Sequence, residues 1–268
     1  VDYSLIGGAI SLEAEGIINK GVAGIDQMIG VETIIGAAGF ANTVDGFSGD
    51  SSLTSFTVDL ANESLTVNGI PGLGSLSFTI QNFVNVNGTS QADSIVGNSA
   101  NNLLNGGGGN DEIVGGSGAD TLDGGTGNDT LFGGIGDDLL LGFSGDDILL
   151  GDTGSDTLLG ESGNDALAAY GFTTEEYDLL SGGTGADAFF LGDTSGVYYQ
   201  GLGYGTITDF NNLEGDAILL AGNANNYSLG VQNFSGDAAL DTLIYFNNDL
   251  VGVVQDSTNV NANSFFYV

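Results

Sequence analysis

Side-chain oxygens recur every nine residues through the middle of this chain. Asp93 is followed by Asn102 and then by Asp111, Asp120, Asp129, Asp138, Asp147, Asp156 and Asp165. From Asp111 onward each lies two residues after a glycine, which marks a turn. Evenly spaced oxygen ligands on tight turns suit a hard cation. The plainer use of such an Asp is to cap its own turn through the backbone. Other chemistries lack their residues. The chain has no His, no Cys and one basic side chain, Lys20. That removes histidine bases, cysteine nucleophiles, disulfides and zinc sites built on those ligands. Paired carboxylates remain possible acids and bases. The off-phase Glu13, Glu15, Glu32, Glu175 and Glu176 form no recognisable constellation, however, so we read the chain as non-enzymatic.

The elements that position these oxygens form a repeat. From Gly88 to Ala168 the chain divides without a gap into nine nonapeptides, such as GGSGADTLD and GGTGNDTLF. Position 1 is always Gly, and position 4 is Gly in the last seven units. Both are expected at backbone conformations open to glycine. Position 8 is Ile95, Leu104, Ile113, Leu122, Leu131, Leu140, Leu149, Leu158 and Leu167. Positions 7 to 9 read as a very short strand whose period of two turns position 8 inward and positions 7 and 9 outward. One unit cannot bury a single Leu, but stacked units share a continuous core.

These units resemble the repeats-in-toxin (RTX) calcium-binding proteins, whose nonapeptide is G-G-x-G-x-D-x-U-x. The units starting at Gly106, Gly115, Gly124 and Gly133 match at every fixed position. Those at Gly142, Gly151 and Gly160 depart only at position 2, with Phe143, Asp152 and Glu161. The first two units carry Gln91 and Ala100 in place of the second glycine. The resemblance implies an all-β, parallel β-roll or β-helix solenoid with calcium in the repeat turns. In such a roll units 18 residues apart stack. The implied ligand pairs are Asp111 with Asp129, Asp120 with Asp138, Asp129 with Asp147, Asp138 with Asp156, and Asp147 with Asp165. That makes about five ions or more. Asp93 joins the candidates. So do Asp178 and Asp187, because the register resumes after four extra residues, Ala169 to Phe172.

Outside the repeat the signals are weaker. Alternating residues near Phe56, Leu65 and Leu76 predict strands separated by Asn68-Gly69 and Pro71-Gly72. The stretch Ile29 to Gly46 echoes Ile80 to Gly97, with Asn42 where Asp93 stands. This predicts wider, metal-poor coils of the same solenoid over 1–87, against a separate small β-domain. The roll then spans 88–190. Residues 191–268 form a β cap resembling the closing segment of RTX proteins, which carries a type I secretion signal. Asp209, Glu214 and Asp216 are a further candidate group there.

Composition bounds the partners. The net charge is −34, which excludes a nucleic-acid reader and argues against an anionic membrane surface. No apolar run is long enough to cross a bilayer. With 41% hydrophobic residues the chain is not a disordered acidic tail. Phe132, Leu139, Leu141, Ile148, Leu150 and Leu159 fall at outward positions and predict apolar stripes suited to a homo-oligomer or polymer. The expected function is a secreted, calcium-dependent structural protein of a bacterial surface or extracellular matrix: a fibre, sheath, coat or adhesive scaffold. The alternative is a C-terminal calcium-folding and type I secretion module of a larger enzyme, toxin or adhesin.

Overall fold

Two positions of each nonapeptide face inward, and this sets the fold. The computed structural model describes the chain apart from residues 1–10, 14–16, 20–24, 28–32, 47–54, 71–73, 170–174, 194, 200–201, 235–238, 258–259 and 261. Glu15, Lys20, Glu32, the Pro71-Gly72 turn and most of the four-residue insert lie outside the described residues, as does the side chain of Glu13. In the repeats the strands run over six residues, as in Glu112–Ser117 and Thr121–Thr126. They are longer than expected because positions 1 to 3 continue the extended backbone of positions 7 to 9. Position 8 and the position-1 glycine are both buried, and positions 7 and 9 point away from the core.

The chain forms two compact units, Val1–Thr130 and Leu131–Val268. Each is an all-β, parallel solenoid of the β-roll type. In the first, Ser94–Val96 pairs in parallel with Glu112–Ser117, setting Ile95 beside Ile113. On its other sheet Leu103–Gly108 pairs with Thr121–Thr126, setting Leu104 beside Leu122. The offset is 18 residues, two nonapeptides per coil. Earlier strands stack by the same parallel rule at wider spacing. Val44 lies beside Val86, Ile34 beside Ile80, and Val58 beside Ile95. The extra length is an antiparallel meander through Ser55–Asp59, Ser64–Ile70 and Gly74–Gln81. The described strands before the repeats thus stack at wider spacing, with Val58 beside Ile95.

The second unit continues the pattern with Leu140 beside Leu158 and Leu149 beside Leu167. The offset then becomes 22, with Leu158 beside Leu180 and Leu167 beside Phe189. The four added residues account for the change from 18. Parallel stacking runs on toward the C-terminus. Leu180 pairs with Ile207 and Ile207 with Val254; Phe189 pairs with Ile218 and Ile218 with Phe265. An antiparallel hairpin, Tyr227–Gln232 with Asp241–Phe246, closes one sheet. Position 8 forms a fully buried column in each unit, Ile95 to Leu122 in the first and Leu131 to Leu167 in the second. Each such side chain contributes about 1.5–3 kcal/mol of burial. No described helix is long and apolar enough to cross a membrane.

The glycine expectation needs one correction. Positive φ occurs at positions 2 and 4, as at Gly107 (98°) and Gly109 (104°), and not at position 1. Position 1 is glycine for want of space. A Cβ on Gly151 would lie 2.4 Å from Asp156 Oδ2. Where position 2 is not glycine, Phe143, Asp152 and Glu161 are held at φ of 67°, 66° and 76°.

Candidate metal centre

Every position-6 side chain from Asp93 to Asp165 is at most 4% exposed, and so are Asp178 and Asp187. Buried carboxylates demand partners. The first oxygen finds one in the neighbouring coil. In the first unit the backbone N–H of Asp93 donates to Asp111 Oδ1 at 2.7 Å, that of Asn102 to Asp120 Oδ1 at 2.7 Å, and that of Asp111 to Asp129 Oδ1 at 2.8 Å. In the second unit Asp138 N–H reaches Asp156 Oδ1 and Asp147 N–H reaches Asp165 Oδ1, both at 2.8 Å. The ladder continues across the insert, from Asp156 to Asp178 at 2.7 Å and from Asp165 to Asp187 at 2.9 Å. Three expected pairs are therefore brought together: Asp111 with Asp129, Asp138 with Asp156, and Asp147 with Asp165.

The second oxygen is different. Oδ2 of Asp111, Asp156, Asp165 and Asp187 is buried with no hydrogen-bond partner. Leaving such an acceptor unsatisfied costs about 1–3 kcal/mol, and more when charged. Each rests against the position-1 glycine of its own unit, where a Cβ would come within 2.2 to 2.4 Å. Without a cation, burial followed by neighbouring carboxylates pushes Asp111 up to about 7 and Asp156 to about 8. Burial likewise raises Asp165, Asp178 and Asp187 to about 6. Asp120 and Asp129 are also raised by burial. Burial of this kind disfavours the charged form of a carboxylate, and an adjacent positive charge favours it.

At the ends of the ladder the protein itself satisfies the second oxygen. Asp93 Oδ2 accepts from the Thr89 N–H at 2.6 Å, and its Oδ1 accepts from the Phe56 N–H. Asn102 turns its amide to the Val84 carbonyl at 2.7 Å and accepts from the Asn98 N–H at 2.8 Å. Asn42 does likewise in the coil before, donating to the carbonyls of Ala37 at 2.9 Å and Asn82 at 2.5 Å. Asp178 Oδ2 meets the hydroxyl of buried Tyr199, which also lies 2.8 Å from the Ala169 carbonyl. Asp209 accepts from the Ser181 hydroxyl and from the Gly182 and Gly183 N–H groups. Asp216 accepts from the Asn211 and Asp187 N–H groups. Of the off-phase acids, Glu176 is buried and accepts from the Gly154 N–H at 3.2 Å, whereas Glu175 is exposed.

A second ladder was not anticipated. Position 5 reaches the opposite way, to the N–H one coil later. Asn110 Oδ1 accepts from Asn128 at 3.0 Å, Asp137 Oδ1 from Ser155 at 2.9 Å, and Asp146 Oδ1 from Asn164 at 2.8 Å. Its only sequence trace is the Asn-Asp or Asp-Asp pair in several units. Two ladders of opposite sense thus clamp each turn to its neighbours.

Parallel two-sheet coils with buried turn carboxylates define the class as a β-roll solenoid of the metal-binding kind. Residues 87–122, 107–140, 114–149 and 141–171 match the family described as the RTX calcium-binding nonapeptide repeat, in four copies. That stretch of the chain carries RTX repeats, and repeats of this kind bind calcium. A search of the curated proteins gives no match.

Proposed function

We propose that Asp111, Asp120, Asp129, Asp138, Asp147, Asp156, Asp165 and Asp187 hold calcium, and that the chain is a secreted, calcium-folded scaffold of a bacterial surface or extracellular matrix, exported by type I secretion and without catalytic function. The observation that carries the reading is the buried, unpartnered Oδ2 repeated on Asp111, Asp156, Asp165 and Asp187. Among the described residues no three acidic side chains converge on one point. Main-chain carbonyls of the glycine turns would therefore complete each shell, as Ca2+ accepts six to eight oxygens. Bound calcium would supply the missing positive charge between coils. The chain's own part is to present Oδ2, keep Oδ1 engaged by the coil before, and leave space at the position-1 glycine. Asp93 and Asp178 have both oxygens engaged by protein donors, so in this reading they close the rows as caps. The composition fits a scaffold, with no His, no Cys and a net charge of −34 that cations must lower. Circular dichroism in millimolar calcium and then in chelator tests it, because metal binding and folding are one event here. The β signal should collapse in chelator and return with calcium. A spectrum indifferent to chelator refutes the reading.

A further inference from the structure

One face of the second unit has no role in the metal rows. Its strands are Ile148–Thr153, Ala166–Ala168, Ala188–Phe190, Ala217–Leu220 and Phe265–Tyr267, paired in parallel in that order. The inward residues Leu149, Leu167, Phe189 and Ile218 are fully buried. The residues flanking them form two columns, in one of which Ala168, beside Leu150, is itself buried. One is small: Ala166, Ala188 and Ala217 follow Ile148 in register. The other, two residues along each strand, rises from Ala168 through Phe190 and Leu219 to Phe266. Phe190 and Leu219 are half-buried within their own sheet, while Ile148 and Phe266 are 46% and 56% exposed. No charged side chain stands in either column. The acid on this face, Asp152, sits at the far end of the first strand. The unit's other sheet differs, since Leu141 and Leu159 are followed there by Ser181.

We propose that this face binds a second copy of the chain, face to face, about a two-fold axis running along the columns. The relief is self-complementary. A ridge of Phe190, Leu219 and Phe266 lies beside a groove of Ala166, Ala188 and Ala217, about 6–7 Å apart. A two-fold axis between the columns sets each copy's ridge over the other's groove, with Phe190 facing the partner's Ala188 and Leu219 its Ala217. Such an interface is isologous and closes at a dimer. Local charge does not oppose this pairing. At −34 two copies repel through any acidic face, and this face brings no carboxylates together at its centre. The inference rests on the calcium reading only in needing the roll to be folded.

Sedimentation of the full chain in millimolar calcium tests it, with bound calcium counted by native mass spectrometry. The chain should sediment as a dimer, and Phe266→Glu should weaken association on the order of 100-fold by burying an unpaired carboxylate while leaving the ion count unchanged. Leu219→Glu should do the same, and Leu141→Glu on the other sheet should leave the dimer intact. A calcium-loaded monomer at high concentration, an open polymer, or a Phe266→Glu dimer of undiminished affinity overturns the proposal while leaving the calcium reading standing. Failure to take up calcium defeats the earlier reading instead.

Discussion

Gly151 and Asp152 are neighbours that should respond to substitution in opposite directions. Asp152 occupies position 2 at φ 66°, a conformation glycine adopts freely. The left-handed region costs an L-residue about 1–2 kcal/mol, and glycine gives back about 0.5–1 kcal/mol through the flexibility of the unfolded chain. Asp152→Gly should therefore stabilise the roll by about 0.5–1 kcal/mol, raising Tm by about 1–4 °C for a chain of this size. Glu161→Gly, at φ 76°, should act similarly. Gly151 is the reverse case. It has no positive φ, and replacing such a glycine by alanine ordinarily stabilises by about 0.4–1 kcal/mol. Here the new Cβ would sit 2.4 Å from Asp156 Oδ2 and 2.9 Å from its Cγ. The carboxylate must swing away, at about 1–3 kcal/mol of overpacking, and its oxygen leaves the place proposed for coordinating calcium. Gly151→Ala should thus lower both Tm and calcium affinity. Calorimetry in saturating calcium, paired with calcium titration, reads both quantities. A stabilised Gly151→Ala with unchanged affinity would show that Oδ2 does not need that space.

Two further outcomes follow from the same carboxylates. Asp156→Ala should lower the number of bound calcium ions, whereas Asp93→Ala should leave the count unchanged and lose about 1–3 kcal/mol, because Asp93 caps the Phe56 and Thr89 N–H groups; an equal loss of ions from both variants would break that distinction. In calcium-free buffer the roll should gain stability as pH falls. Asp111 is raised to about 7, Asp156 to about 8, and Asp165, Asp178 and Asp187 to about 6 from an unfolded value of 3.8. The folded state therefore binds more protons between these limits. The stabilisation is complete below about pH 4 and is lost as pH rises through 6 to 8. Circular dichroism of the calcium-free chain at pH 4.5 and pH 8 checks the sign, and more β structure at pH 8 would contradict it.

The repeat made the roll legible. A period of nine with Leu at position 8 implies stacked units sharing one core, and the offset of 18 came with the resemblance to RTX repeats, in which two units make a coil. The insert after Ala168 was legible by arithmetic, because four added residues must turn 18 into 22. The role of the position-1 glycine was not. A glycine excluded by a neighbouring oxygen and a glycine needed for positive φ look the same in sequence. The caps on the rows were hidden for another reason. Thr89 is four residues before Asp93, but Phe56 is 37 away. Tyr199 reaches Asp178 over 21 residues, from beyond the last unit in nonapeptide register. Asn42 was the exception, since its place in the echo of Asp93 matched a shared use, a buried side chain tying a turn to neighbouring backbone.

The apolar face shows how a local reading stops short. Ile148 and Leu150 stand in nonapeptide register and were legible as outward apolar residues. Ala217 and Leu219 lie 29 residues beyond Ala188 and Phe190, and Phe266 lies 47 beyond Leu219, across the hairpin. Their sequence positions carry no common period. Only the parallel stacking of Phe189 on Ile218 and of Ile218 on Phe265 aligns their neighbours into columns. The proposed calcium rows depend on a repeated sequence because each ion would need the same turn. A docking face needs only repeated geometry. It can therefore draw on coils that have lost the glycine pattern and, with it, the positions for calcium.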